Sequence, residues 1–134
     1  MKEPKREAER WLKQGSHDLK VAASLYKQRY FSDVCFLCEQ ATQKMLKAYL
    51  YAKGSRFITI HSIRSLVQAC ARYDKTFNRL TGKAKVLDKY YIPTRYPDAL
   101  APPAVPFESY TEKEAKEALA YTREFYTFVS RKLR

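Results

Sequence analysis

The sequence predicts an all-α fold, an up-and-down bundle of about five helices, on three observations. Apolar residues recur at three- and four-residue spacing along most of the chain. Capping residues precede several of these stretches, and a glycine follows one. Only 3 glycines and 6 prolines occur, too few for a turn-rich β-sandwich. Five of the prolines fall between positions 93 and 106, which places one long Pro-rich loop before the last helix. A length of 134 residues suits one domain, taken here as 1–134.

The first helix is expected from about Pro4 to Gln28. Ala8, Trp11, Leu12, Gly15, Leu19, Ala22, Ala23 and Tyr26 form its stripe, with Arg10, Lys13, His17, Lys20 and Lys27 mostly off it. Pro4 suits the first turn, where its missing N–H would have no partner anyway. Ser32 and Asp33 are candidate caps for a second helix with the stripe Val34, Leu37, Cys38, Ala41, Met45, Ala48, Tyr49 and Ala52. Gly54 closes that helix, since it tolerates the left-handed conformation found at helix ends. The short link through Arg29, Tyr30 and Phe31 makes the two helices antiparallel neighbours.

Residues 55–60 are β-branched and strand-like, but no second strand exists to pair with them, so they read as an ordered loop. A third helix covers about Ser62 to Arg72, with Ile63, Leu66, Val67 and Cys70 inward. A fourth follows Asp74 and carries Phe77, Leu80, Val86, Leu87 and Tyr90, with Gly82 as its break. From Tyr91 to Tyr110 prolines forbid a continuous helix, because each lacks an N–H and restrains the residue before it. Thr111 and Glu114 form a capping box that opens the last helix, with the stripe Ala115, Ala118, Leu119, Thr122, Phe125, Tyr126, Val129 and Leu133. Arg131, Lys132 and Arg134 complement the negative end of its dipole.

Composition narrows the function. A formal net charge of +12 attracts polyanions: RNA, DNA, nucleotides or acidic proteins. No apolar run approaches the roughly 18 residues of a membrane span, and no signal-peptide core follows the N-terminus, so no membrane role is expected. Three cysteines cannot all pair within one chain, which favours a cytoplasmic protein with reduced thiols. Cys35 and Cys38 form a C-x-x-C on a helix, without the second ligand pair that zinc needs, and read as small buried thiols rather than a metal site. The glycines are isolated, so there is no phosphate-binding glycine loop. There is also no acidic cluster for magnesium and no G-x-S-x-G elbow. No metal or cofactor is expected. The aromatic and aliphatic surplus predicts a homodimer with an apolar interface.

Three groups remain as candidates for chemistry. His61 opens the third helix and either packs locally or acts on a phosphate or ribose hydroxyl. Arg56 precedes it at R-x-x-x-x-H spacing, a pairing in which a guanidinium holds phosphate while an imidazole moves a proton. In Arg95-Tyr96-Pro97-Asp98 the arginine either grips phosphate beside a stacking tyrosine or anchors the loop on helix-end carbonyls or Asp98. His17 reads as a surface residue.

These residues together resemble the HEPN domain family. The resemblance rests on Ala8-Glu9-Arg10-Trp11-Leu12 with Asp18-Leu19, on Tyr30, and on the run from Cys35 to Ala48 that contains Glu39, Gln40, Gln43, Lys44 and Lys47. It continues with His61-Ser62-Ile63, with Arg95-Tyr96-Pro97-Asp98 and with the last helix. It implies about five helices, frequent homodimers, and work with a minimal nucleotidyltransferase partner as in toxin–antitoxin pairs. In RNases of the family an Arg and a His (or Tyr) stand four to six apart before the final helix and meet across the dimer. Here that region holds Arg95-Tyr96-Pro97-Asp98, no histidine follows His61, and Gln43 stands where many relatives have Glu. The expectation is therefore a protein that binds a nucleotide or RNA through Arg95, Tyr96 and His61, with Lys44, Lys47 and Arg56 behind them. The alternatives are a metal-independent RNase with His61, Arg56 and Arg95 as catalytic candidates, and a non-catalytic partner subunit.

Overall fold

A computed structural model of the chain describes residues 3–92 and 94–134. Five α-helices carry the fold: α1 (Pro4–Lys27), α2 (Phe31–Ala52), α3 (Ile63–Ala71), α4 (Thr81–Asp88) and α5 (Glu112–Lys132). Short 3₁₀ segments lie at Lys75–Leu80, Pro97–Ala99 and Pro106–Glu108, and no strand occurs among the described residues.

The paired stripes of α1 and α2 form an antiparallel hairpin. Trp11 meets Tyr51, Asp18 meets Lys44, and Tyr26 meets Phe31, so contacts advance along one helix as they retreat along the other. Gly15 permits the close approach, because a Cβ there would lie 3.1 Å from both the Ala41 carbonyl oxygen and Met45 Cγ. The chain reverses through Arg29, whose φ of 68° is unusual for a residue other than glycine. Its guanidinium pairs with Glu112 at 3.2 Å, which ties this turn to the start of α5.

α2 is the central element. Its Met45 and Leu46 are fully buried with Leu66, Phe77 and Phe125 from the surrounding segments. α5 lies along α2 through Thr122, which bonds its own Ala118 carbonyl at 2.8 Å and contacts Thr42 at 3.4 Å. Cys35, Cys38 and Cys70 are free buried thiols, and burial pushes each above its ordinary range. Among the described residues no three His, Cys, Asp or Glu side chains are grouped as a metal ion would require, and no helix is long and apolar enough to cross a membrane.

Some local devices differ from the expected ones. Ser32 does not cap α2: Tyr30 occupies the cap position, and Ser32 Oγ instead donates to the Thr94 carbonyl at 2.9 Å. Gly82 does not break the fourth helix. Asp74 accepts from Thr76 N–H and opens the tight Lys75–Leu80 turn, which buries Phe77 and Leu80 three residues apart on one side before α4 begins at Thr81. The Thr111–Glu114 capping box and the left-handed Gly54 both occur, and Ser62, expected as the first residue of the third helix, is instead its cap.

Candidate functional site

α2 carries a polar strip through the middle of the fold. At 100° per residue, Phe36, Gln40, Gln43 and Lys47 fall within about 60° of one another on the helix. Phe36 to Lys47 spans three turns, roughly 16 Å. Beside the strip stands Glu39, 0% exposed, which accepts hydrogen bonds from Gln43 Nε2 at 2.6 Å and Gln40 Nε2 at 2.8 Å. Burial pushes the Glu39 carboxyl up to about 7. The two amides pull it down, the nearby Asp88 carboxylate adds to the rise, and Lys47 opposes it.

Two cations lie at the ends of the strip. The Arg95 guanidinium sits 4.4 Å from the centre of the Phe36 ring. It makes no ion pair or side-chain hydrogen bond among the described residues, so neither helix-end carbonyls nor Asp98 hold it. The loop is anchored by its neighbour instead: buried Thr94 donates its hydroxyl to the Tyr90 carbonyl, and its own carbonyl accepts from Ser32. At the other end, Lys47 is 7% exposed and its ammonium lies 5.8 Å from the Trp11 ring centre. No protein oxygen bonds that ammonium among the described residues. Desolvation lowers its pKa, while the Glu39 carboxylate works the other way.

His61 packs against the chain that leads to Arg95. Its ring stacks on Tyr91 with centroids 6.2 Å apart, and Tyr91 joins Arg95 through the turn in which Arg95 N–H bonds the Ile92 carbonyl at 3.0 Å. The start of α3 beside His61 is held by Asp88, whose carboxylate accepts from Ile63 N–H at 2.6 Å, Arg64 N–H at 3.0 Å and Ser62 Oγ at 3.0 Å. Asp88→Ala is expected to destabilise the fold by about 1–2 kcal/mol. Amide exchange at Ile63 and Arg64 should accelerate in the same variant, and a protected α3 start would rule this role out.

The remaining sequence candidates are placed elsewhere. Lys44 is turned off the strip and bonds Asp18, which also accepts from Gln14 at 3.0 Å. With Trp11, Arg10, Gln14 and His17 it lines a surface groove of about 780 Å³ along α1. Arg56 lines a second groove with Glu7, Tyr51 and Ser55. Arg56 and His61 stand five positions apart, up to roughly 16 Å of backbone, and the structure puts them in different surroundings, Arg56 in the second groove and His61 on Tyr91. Tyr96 is 56% exposed and makes no ring contact among the described residues. Glu39, Gln40 and Asp88 were not singled out by their residue types. The signal for the first two was a polar run inside an otherwise apolar helix.

Comparison with known proteins adds to this geometry. The model of the family described as "HEPN domain" matches residues 8–133. Human sacsin is 29% identical over 119 residues, covering 87% of this chain but only 3% of sacsin, so the chain matches a small part of that protein. A protein of Methanocaldococcus jannaschii named "Putative toxin MJ1304" is 26% identical over 119 residues, covering 84% of this chain and 78% of that protein. Among solved structures, TT1696 from Thermus thermophilus superposes with a TM-score of 0.87 at 37% identity, over 94% of this chain and 98% of that one. ST0689, described as an archaeal HEPN homologue, superposes with a TM-score of 0.79 at 30% identity, over the full length of both chains.

Proposed function

The chain belongs to the HEPN domain family, and from that premise we propose that it binds a nucleotide or RNA along the α2 strip between Arg95 and Lys47. The observation that carries this reading is the pair of uncommitted cations. A guanidinium over Phe36 and a nearly buried ammonium beside Trp11 mark the two ends of one face of α2, and neither makes an ion pair among the described residues. The backbone positions of Phe36 and Lys47 stand roughly 16 Å apart along α2, more than one phosphate spans, which suits a ligand with several, such as a short oligonucleotide. Exposed Tyr91 and Tyr96 supply stacking faces at the Arg95 end. In this reading the protein is a cytoplasmic homodimer that works with a minimal nucleotidyltransferase in a toxin–antitoxin pair, which the likeness to a putative toxin supports.

The test is calorimetric titration with a short single-stranded RNA. Arg95→Lys keeps the charge but loses the bidentate fork, so affinity should fall about tenfold. The melting temperature should stay unchanged, because Thr94 holds the loop. Unchanged affinity with a large fall in melting temperature would make Arg95 an anchor and end this reading. A second reading, metal-independent RNA cleavage, is favoured by the exposed His61 imidazole stacked on Tyr91. RNA cleavage in the presence of a chelator, lost in His61→Ala, would establish it.

A further inference from the structure

Residues 55–62 run without turn or bend between the end of α2 and the start of α3. Their side chains alternate as those of a strand do. Phe57, Thr59 and His61 are exposed, while Ile58 and Ile60 are half-buried against the core. Yet the backbone N–H and C=O groups of Phe57, Ile58, Thr59, Ile60 and His61 bond no other residue among those described. The segment is thus a strand without a sheet, an open template for main-chain pairing.

Two further features lie against it. A trough of about 470 Å³ runs between this segment and the end of α3, lined by Phe57, Ile58, Ile60, Ala69, Arg72 and Tyr73. Phe57 is 85% exposed at its edge, a large apolar surface with nothing covering it. Arg72 lines the trough, while Lys53 precedes the segment in the chain and Arg64 follows it, and none of the three side chains makes an ion pair among the described residues.

We propose that residues 57–61 dock an extended acidic segment of a partner protein by β-strand addition. Main-chain bonds supply the pairing, alternate apolar side chains of the partner enter the trough, and its carboxylates face Lys53, Arg64 and Arg72. A second copy of this chain fits less well, because it brings the same cations. RNA meets the cations but leaves the row of backbone groups unpaired. The inference stands apart from the ligand proposed above, since it uses neither Arg95 nor Lys47.

The probe is a capped, fluorescein-labelled peptide of alternating valine and glutamate, followed by anisotropy. Its proline-interrupted counterpart serves as the control. The continuous peptide should bind at least tenfold more tightly than the interrupted one, and Phe57→Ala should weaken it at least fivefold. Phe57 is exposed, so this variant should fold. In the unmodified protein, hydrogen exchange should show new protection at alternate amides across 57–61, the pattern of one paired strand edge. Absence of saturable binding, or equal binding of both peptides, overturns the proposal. So does a dimer that Phe57→Ala disperses, which would assign the surface to a second copy. Competition by a short RNA that depends on Phe57 would assign it to nucleic acid and overturn it equally.

Discussion

Glu39→Gln is expected to remove a fall in stability that the natural protein suffers as pH rises from about 4.5 to about 7. The carboxyl is fully buried, held by the Gln43 and Gln40 amides, and its pKa stands near 7 against an ordinary 4.5 because burial disfavours the charged form. Between those values the unfolded chain has released the proton and the folded chain still holds it. Stability therefore decreases through that window and levels off above it. The size follows from the shift, up to roughly 3 kcal/mol. Glutamine keeps the shape and does not titrate. Urea unfolding at pH 5 and pH 8 should show the variant gaining about 2–3 kcal/mol on the natural protein between the two conditions. Asp88 and Lys47 face the same group but are present in both proteins, so their effects largely cancel in the comparison. An equal gap at both pH values would mean that Glu39 is ionised throughout.

Phe77→Ala should be among the most damaging single changes in the core, at about 3–5 kcal/mol. The ring is fully buried in the 3₁₀ segment, with Tyr49 of α2 4.5 Å away and Phe128 of α5 4.9 Å away, centre to centre. Removing it opens a cavity between three separate segments, and none can shift inward without pulling on the others. Scanning calorimetry should register a fall of roughly 10–20 °C in melting temperature. A fall of only a few degrees would show that the surrounding rings collapse into the space.

The helices themselves were readable from periodicity, because each stripe faces one core. α1 ends one residue from its expected limit, and α3 starts at Ile63, one residue after the expected Ser62. What periodicity could not reveal depends on chain segments distant in sequence. Asp88 caps a helix that begins 25 residues before it. Ser32 looked like a cap because its residue type suits one, but a loop 62 residues away claims its hydroxyl. The Arg56–His61 spacing suggested a joint grip on phosphate. In an extended segment the same spacing spreads them apart. Arg95 was recognisable as a candidate, but its seat on Phe36 was not, since nothing local links positions 95 and 36. Glu39 shows the same limit, because its buried state follows from how α2 sits among its neighbours.

The Ser32–Thr94–Tyr90 anchor divides the long connection into two provinces with different rules of inheritance. At Thr94 the chain is bound to the bundle by hydroxyl-to-carbonyl bonds. Past Tyr96 the chain is mostly exposed until Val105, held by short turns of its own making. The exposed stretch from 97 to 104 is thus interchangeable, a place where a foreign peptide of matching end-to-end reach can be grafted. The bundle need not notice, and the guanidinium over Phe36 keeps its station.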